Sequence, residues 1–306
     1  MNSVQLFCQQ LANGLTLGAI YALIALGYTM VYGVIQLINF AHGEVFMVGA
    51  YVALTVVLLM AASPLTAGGP WWVLLVLCGV GAMAACAVLG LAIERVAYRP
   101  IRQAHRLNAL ITAIGVSFFL QNALMLCYGA TDRQFPSLIP PLRWDLGGVS
   151  VTLMQVVVWV ASALLMVWLQ LLVMSTKLGM AMRATAQDLK ACALLGIPVN
   201  RIIAITFATG SAFAATGGML FGLNYGTINF HDGYLMGLKA FTAAVLGGIG
   251  NIPGAMAGGL LLGFLEALGA GYLSAQWKNV FAFLILVALL LFKPTGLFGE
   301  RVAERA

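Results

Sequence analysis

Nine runs of apolar residues, parted by short polar breaks, leave this chain few folds to choose from. They cover about 15–37, 45–63, 71–93, 107–128, 150–174, 202–223, 235–249, 254–272 and 279–293. A helix needs about 20 mostly apolar residues to cross the hydrocarbon of a bilayer, and most of the runs have that length. Those at 235–249 and 279–293 are short, as tilted, half-spanning or broken helices would be. Hydrophobic residues make up 62% of the 306 and charged residues 8%, against about 25% charge in an ordinary soluble domain. No soluble core of this size hides so much apolar surface. The predicted fold class is all-α, a polytopic transmembrane helical bundle of about nine spans forming one domain over 1–306. Dividing segment 1–40 into a surface helix plus a span, or into two short spans, gives ten instead.

The few charges orient the spans. Segment 94–106 carries Arg95, Arg99, Arg102 and Arg106; segment 175–201 carries Lys177, Arg183, Lys190 and Arg201; the tail carries Lys293, Arg301 and Arg305. With nine alternating spans these eleven fall on one side, and Arg133, Arg143 and Lys278 fall on the other. Short loops rich in Lys and Arg stay in the cytosol. That expectation puts the C-terminus inside and the N-terminus outside. Loop 129–149 is then external, and Pro136, Pro140, Pro141 and Trp144 make it a stiff cap. Residues 1–14 hold no Lys or Arg, so no basic region of a cleavable signal peptide is expected. The +6 net charge reports orientation in a bilayer, not nucleic acid as a partner. The five cysteines lie mostly inside apolar runs and match neither a metal site nor a disulfide framework.

An echo runs through the chain. Ile38-Asn39-Phe40-Ala41-His42-Gly43 returns in the second half as Ile228-Asn229-Phe230-His231-Asp232-Gly233. Gly27 and Gly217 stand at the same distance before the asparagine of each copy. Five spans separate the copies, so they point opposite ways. Inverted repeats, here about 15–174 and 202–293, are a mark of transporters with a pathway along the repeat interface. Asn39, His42, Asn229, His231 and Asp232 are therefore candidates to line that path. Each asparagine could equally cap a broken helix by offering its side-chain oxygen to free backbone N–H groups. His42, Glu44, His231 and Asp232 are expected near the membrane interface, and no carboxylate is expected near a span centre. Lys239 and Glu266 fall inside consecutive antiparallel spans, where an ion pair would spare each the cost of an unpaired buried charge. Between Gly210 and Gly271 there are 16 glycines. Many are four apart, which clears a helix face for a neighbouring backbone, within one subunit or at a dimer seam. The run 247–254 reads as a tight cytosolic turn.

No Gly-Lys dipeptide is present, so no phosphate-cradling loop is encoded, and no nucleophile and base set can be assembled. An enzyme is not expected, and any ATP that drives this chain is hydrolysed elsewhere. Segment 177–201 is the informative soluble piece. Arg183, Ala184, Asp188, Leu189 and Leu195 belong to a short cytosolic helix that Gly196 stops, with Ile197 and Pro198 beyond. Leu189, Cys192, Ala193 and Leu195 give it a small apolar face suited to a partner groove.

With these residues in view, the chain resembles the branched-chain amino acid permease subunits of bacterial ABC importers, the LivH type. The resemblance rests on 37–44 with Gly49-Ala50-Tyr51, on Arg183-Ala184 to Asp188 with Leu195-Gly196-Ile197, and above all on Gly237 to Gly250 followed by Ile252-Pro253-Gly254-Ala255. It implies that 184–197 is the coupling helix that docks on the ATPase. This copy has Ala184-Thr185-Ala186 where the wider pattern has Glu-Ala-Ala, and it keeps the Gly-Ile end. It implies as partners a second homologous permease, two ATP-binding subunits that hold ATP and Mg, a periplasmic binding protein, and the lipid of a bacterial inner membrane. Relatives for urea, amides or other amino acids share the motifs. The rival from another class is an ion-coupled secondary transporter, which has no use for a coupling helix.

Overall fold

The computed structural model describes residues 2–37, 39–63, 69–102, 104–293 and 295–299. Ile38 of the first motif and Arg301 and Arg305 of the tail lie outside the described residues. The chain is an all-α polytopic bundle. Its helices are α1 (Ser3–Ile35), α2 (His42–Ala62), α3 (Trp71–Ile93), α4 (Arg106–Tyr128), α5 (Leu153–Ser175), α6 (Lys177–Gln187), α7 (Leu189–Leu194), α8 (Val199–Tyr225), α9 (Asp232–Gly247), α10 (Ile252–Tyr272) and α11 (Lys278–Phe292). Each of the nine apolar runs becomes one helix. Seven are long and apolar enough to cross a membrane, while α9 and α11, with 16 and 15 residues, are shorter. Past α3 the chain makes one π turn, Glu94–Tyr98, and a 3-10 turn, Arg99–Ile101.

The first helix starts at Ser3, well before the hydropathy boundary near Leu15, and forms neither a surface helix plus a span nor two short spans. Asn2 and Gln5 close a capping box at its start. Gln5, Gln9, Asn13 and Thr16 then sit on one face at helical spacing, and that face has partners. Strands β2 (Arg143–Leu146) and β3 (Val149–Thr152) form an antiparallel hairpin in the 129–149 cap. Gln9 donates to the Ser150 carbonyl at 3.1 Å and accepts from its N–H at 2.9 Å. Gln5 donates to the Gly147 carbonyl at 3.1 Å, and Trp159 of α5 donates to Thr16 Oγ1 at 2.9 Å. A polar ladder lowers hydropathy without ending the helix. The cap is also tied to the second motif, because β1 (Arg133–Gln134) pairs antiparallel with β4 (Thr227–Ile228).

Helix α1 lies at the centre, with residues 18–31 buried without a break. Backbones approach it closely through glycines. An added Cβ on Gly18 would lie 2.8 Å from Leu260 Cα, and Gly259 and Gly263 press on the backbones of Ala22 and Gly18. The glycine spacing thus serves close packing within one chain. Against α8, Gly27 meets Gly210 and Ile24 meets Gly217, so α1 and α8 run antiparallel. The turn between α9 and α10 is built on Gly248 and Gly250, with φ of 106° and 96°.

Candidate functional site

The two echoed motifs fold alike. Asn39 Oδ1 accepts from the N–H of Ala41 at 3.1 Å, and its carbonyl accepts from the N–H of His42 at 3.0 Å. Asn229 Oδ1 accepts from the N–H of His231 at 2.9 Å, and its carbonyl accepts from the N–H of Asp232 at 3.1 Å. In both, the helix begins three residues after the asparagine. Each asparagine closes the turn before the helix and is not itself the N-cap. Their outward bonds differ. Tyr98, in the π turn after α3, donates to Asn39 Oδ1 at 3.0 Å; Asn229 Nδ2 donates to Asp132 Oδ1 at 2.6 Å, and its N–H donates to Asp232 Oδ2 at 2.9 Å.

The two helix starts meet inside the bundle. Gly43 packs on Gly233 and Gly237, near enough that a Cβ on Gly237 would lie 2.8 Å from Gly43 Cα. His42 abuts Gly27, eight residues or about 12 Å along α1 from its last residue. Helix α2 therefore begins well within the protein. His42 and Glu44 are both enclosed by protein, at 1% exposure. Irregular backbone at such depth must satisfy its polar groups inside the protein, and the Asn39 turn does so. His231, in contrast, is exposed and Asp232 half-buried.

Helix α4 bridges the two starts. Ser117 Oγ donates to Glu44 Oε1 at 3.4 Å, and one turn on, Gln121 Nε2 stands 2.7 Å from His231 Nδ1. Among the described residues Glu44 Oε2 has no hydrogen-bond partner. The His42 ring packs edge-on against Tyr28 at 4.8 Å, and its Nε2, turned toward the Ile24–Gly27 stretch of α1, makes no well-formed bond. Ser117 and Gln121 escaped sequence reasoning, although two polar residues four apart in an apolar run are a readable sign of a buried partner.

Lys239 Nζ lies 2.7 Å from Glu266 Oε1, and the two are 1% and 3% exposed. A third member was not foreseen. Tyr21 of α1 donates its hydroxyl to Glu266 Oε2 at 2.8 Å, so the pair is tied to the central helix.

At the end of the bundle where α5 meets α6, the expected single helix is two. Asp188, extended at φ −154° and ψ 107°, breaks it and caps α7 by accepting from the N–H groups of Lys190 and Ala191 at 2.8 and 3.0 Å. Its apolar face also differs, since Cys192 turns inward while Leu194 and Leu195 are 90% and 80% exposed. Gly196 follows with φ 80°. Ala184 and Ile197 are half-buried and Leu189 is exposed, while Arg183 reaches back to Met174 Sδ at 3.0 Å. Just beyond, Asn200 accepts from Arg102 at 2.8 Å, and Arg102 is ion-paired with the buried Glu94 of the π turn. Among the described residues no cluster of His, Cys, Asp and Glu could hold a metal ion.

Comparison with known proteins places this arrangement. Residues 10–290 match the family model described as branched-chain amino acid transport system, permease component. The chain is 49% identical over 304 residues to the high-affinity branched-chain amino acid transport system permease protein LivH of Escherichia coli K12, covering 98% of this chain and 97% of that protein. It is 48% identical over 309 residues, the full length of both, to BraD of Pseudomonas aeruginosa, a permease protein named for the same system. A more distant relative is the autoinducer 2 import system permease protein LsrC of Yersinia enterocolitica, 28% identical over 199 residues, 61% of this chain and 53% of that one. No solved structure matches.

Proposed function

The chain belongs to the family of branched-chain amino acid transport system permease components, and from that membership we propose that it is the membrane permease subunit of an ATP-driven ABC importer for branched-chain amino acids. The observation that carries the reading is the end-to-end similarity to LivH and BraD at about half identity. In this reading the chain forms part of the translocation path in a bacterial inner membrane. It works with a second homologous permease, two ATP-binding subunits that hold ATP and Mg, and a periplasmic binding protein. The excess of Lys and Arg on one side puts its C-terminus in the cytosol and its N-terminus outside.

Helix α7 is the ATPase contact in this proposal. Leu194 and Leu195 offer apolar surface beyond the bundle, and Arg183, Ala184, Asp188, Leu189, Gly196 and Ile197 set its position. The links from Asn200 through Arg102 to the π turn, and from Tyr98 to Asn39, run from that contact toward the start of α2. The path itself is proposed to pass the two asparagine turns, near His42, His231 and Asp232. Two matched turns, each leading into a helix that starts at the meeting of the halves, support an inverted repeat, as does the antiparallel run of α1 and α8. The Lys239–Glu266 pair is proposed as a structural tie.

Purification of the tagged chain from its native membrane in mild detergent, followed by mass identification, tests the assembly. Two ATP-binding subunits and a second permease are expected; a lone chain that moves solute in liposomes without ATP would support an ion-coupled transporter instead. The docking role has its own test. Gly196 has a left-handed backbone, where a β-branched residue costs about 1–2 kcal/mol. Gly196→Val is expected to lower uptake per ATP hydrolysed at unchanged amounts of complex, with Gly196→Asn milder. Normal coupling in Gly196→Val would take α7 out of that role.

A further inference from the structure

Among the described residues, three acidic side chains are buried in the bundle. Glu94 has Arg102 and Glu266 has Lys239. Glu44, the most enclosed of the three at 1% exposure, has no cation. Its Oε1 takes one long bond from Ser117, at 3.4 Å, and Oε2 takes none. Oε2 faces the first turn of α9, where a Cβ on Gly233 would stand 2.6 Å away. The positive ends of two helices, its own and α9, offset part of the cost of a carboxylate there, but neither gives Oε2 a donor. A carboxylate in the interior of a membrane protein is costly, and such groups mark the routes of ions and substrates.

The seam beside it is made of glycines. Gly43, Gly233 and Gly237 hold the starts of α2 and α9 in backbone contact, with the Glu44 carboxylate, Met47 Cβ and the Tyr28 hydroxyl packed beside them. One turn along α4 from Ser117, Gln121 meets the exposed His231. Parting α9 from α2 and breaking that bond would uncover the carboxylate from the side of the β1–β4 pair.

We infer that Glu44 is the ammonium subsite of the translocation path, its free oxygen taking a charge-assisted hydrogen bond from the α-ammonium group of a passing amino acid. This rests on the importer reading above. The amino acid supplies the cation that the protein withholds. A site with its own Lys or Arg would have to break an ion pair at each passage.

The test uses the whole complex with its binding protein in liposomes. Glu44→Gln keeps the size and removes the charge; it is expected to cut L-leucine uptake about tenfold or more, while Glu44→Asp keeps a measurable part and both assemble normally. In a chain whose native cysteines are replaced and whose Glu44 is kept, Met47→Cys, one turn along α2 and also against Gly233, is expected to react with 2-aminoethyl methanethiosulfonate during ATP turnover. L-leucine should protect it, and that protection should be lost when Glu44→Gln is added. Wild-type uptake by Glu44→Gln would overturn the inference, as would protection by L-leucine that Glu44→Gln leaves unchanged. If the Met47→Cys variant does not assemble or does not react, the Gln and Asp pair decides. A wild-type complex without ATP-driven uptake would instead bring down the importer reading and the inference with it.

Discussion

Glu266→Ala is expected to leave little intact protein in the membrane. The change strands the Lys239 ammonium, 1% exposed, with only the Tyr21 hydroxyl at 3.4 Å for company. Removing one partner of a buried ion pair costs about 3–5 kcal/mol, a large part of the ~5–15 kcal/mol that holds a typical protein together. Lys239→Ala should be nearly as harmful, for it strands Glu266. Replacing both, as Lys239→Met with Glu266→Leu, is expected to recover most of the loss, because a well-packed apolar pair can match a buried ionic one. The exchange Lys239→Glu with Glu266→Lys should recover part, since the Tyr21 hydroxyl can turn from donor to acceptor. Yield of monodisperse protein and Tm in detergent read these outcomes. Parent-like stability of Glu266→Ala, or a double variant no better than the single ones, would remove the pair as a structural tie.

The second large effect is expected from Gly18→Val. Its Cβ would stand 2.8 Å from Leu260 Cα and 3.0 Å from the Gly259 carbonyl. Those are backbone atoms, and a helix backbone cannot swing aside as a side chain can. Forcing extra volume into such a contact costs about 1–3 kcal/mol or more, and here it falls on the most enclosed helix. Gly263→Val should act alike, since it presses on Gly18 itself. Gly115 of α4 is the matched control. Nothing lies within 4 Å of a Cβ there, so Gly115→Ala should be neutral or raise stability by up to ~1 kcal/mol. A Gly18→Val protein as stable as Gly115→Ala would mean that close approach does not set Gly18.

Hydropathy located the nine apolar helices, because for a lipid-embedded helix apolar length is the physical requirement itself. It misplaced the start of α1, where Gln5, Gln9 and Asn13 are polar yet satisfied by the cap and by α5. Hydropathy measures transfer from water and is blind to a partner as far along the chain as Ser150 is from Gln9. The echoed motifs were legible, and so was the idea that their asparagines bond to backbone. Their enclosure was not, since it depends on how α1, α8 and α9 cross. The ion pair could be guessed from two charges in facing spans, whereas Tyr21 could not, being one of several tyrosines in apolar runs. Asp188 was visible as a residue and missed as a break, because Ala and Leu on both sides favour helix and only its capping bonds show where one helix ends and the next begins.

The central position of α1 has a consequence for how the protein is made. This helix is made before the other ten, yet groups that enclose it come late. Tyr21 waits for Glu266, 245 residues later, and Gly18 waits for Gly263. Contacts so distant in sequence form slowly, and during synthesis α1 must rest in lipid with its glycine face uncovered. Its mostly apolar surface makes that wait tolerable. A nascent chain cut short before α10 would therefore leave one face of α1 uncovered, and the membrane's quality-control proteases would meet it as an incomplete bundle.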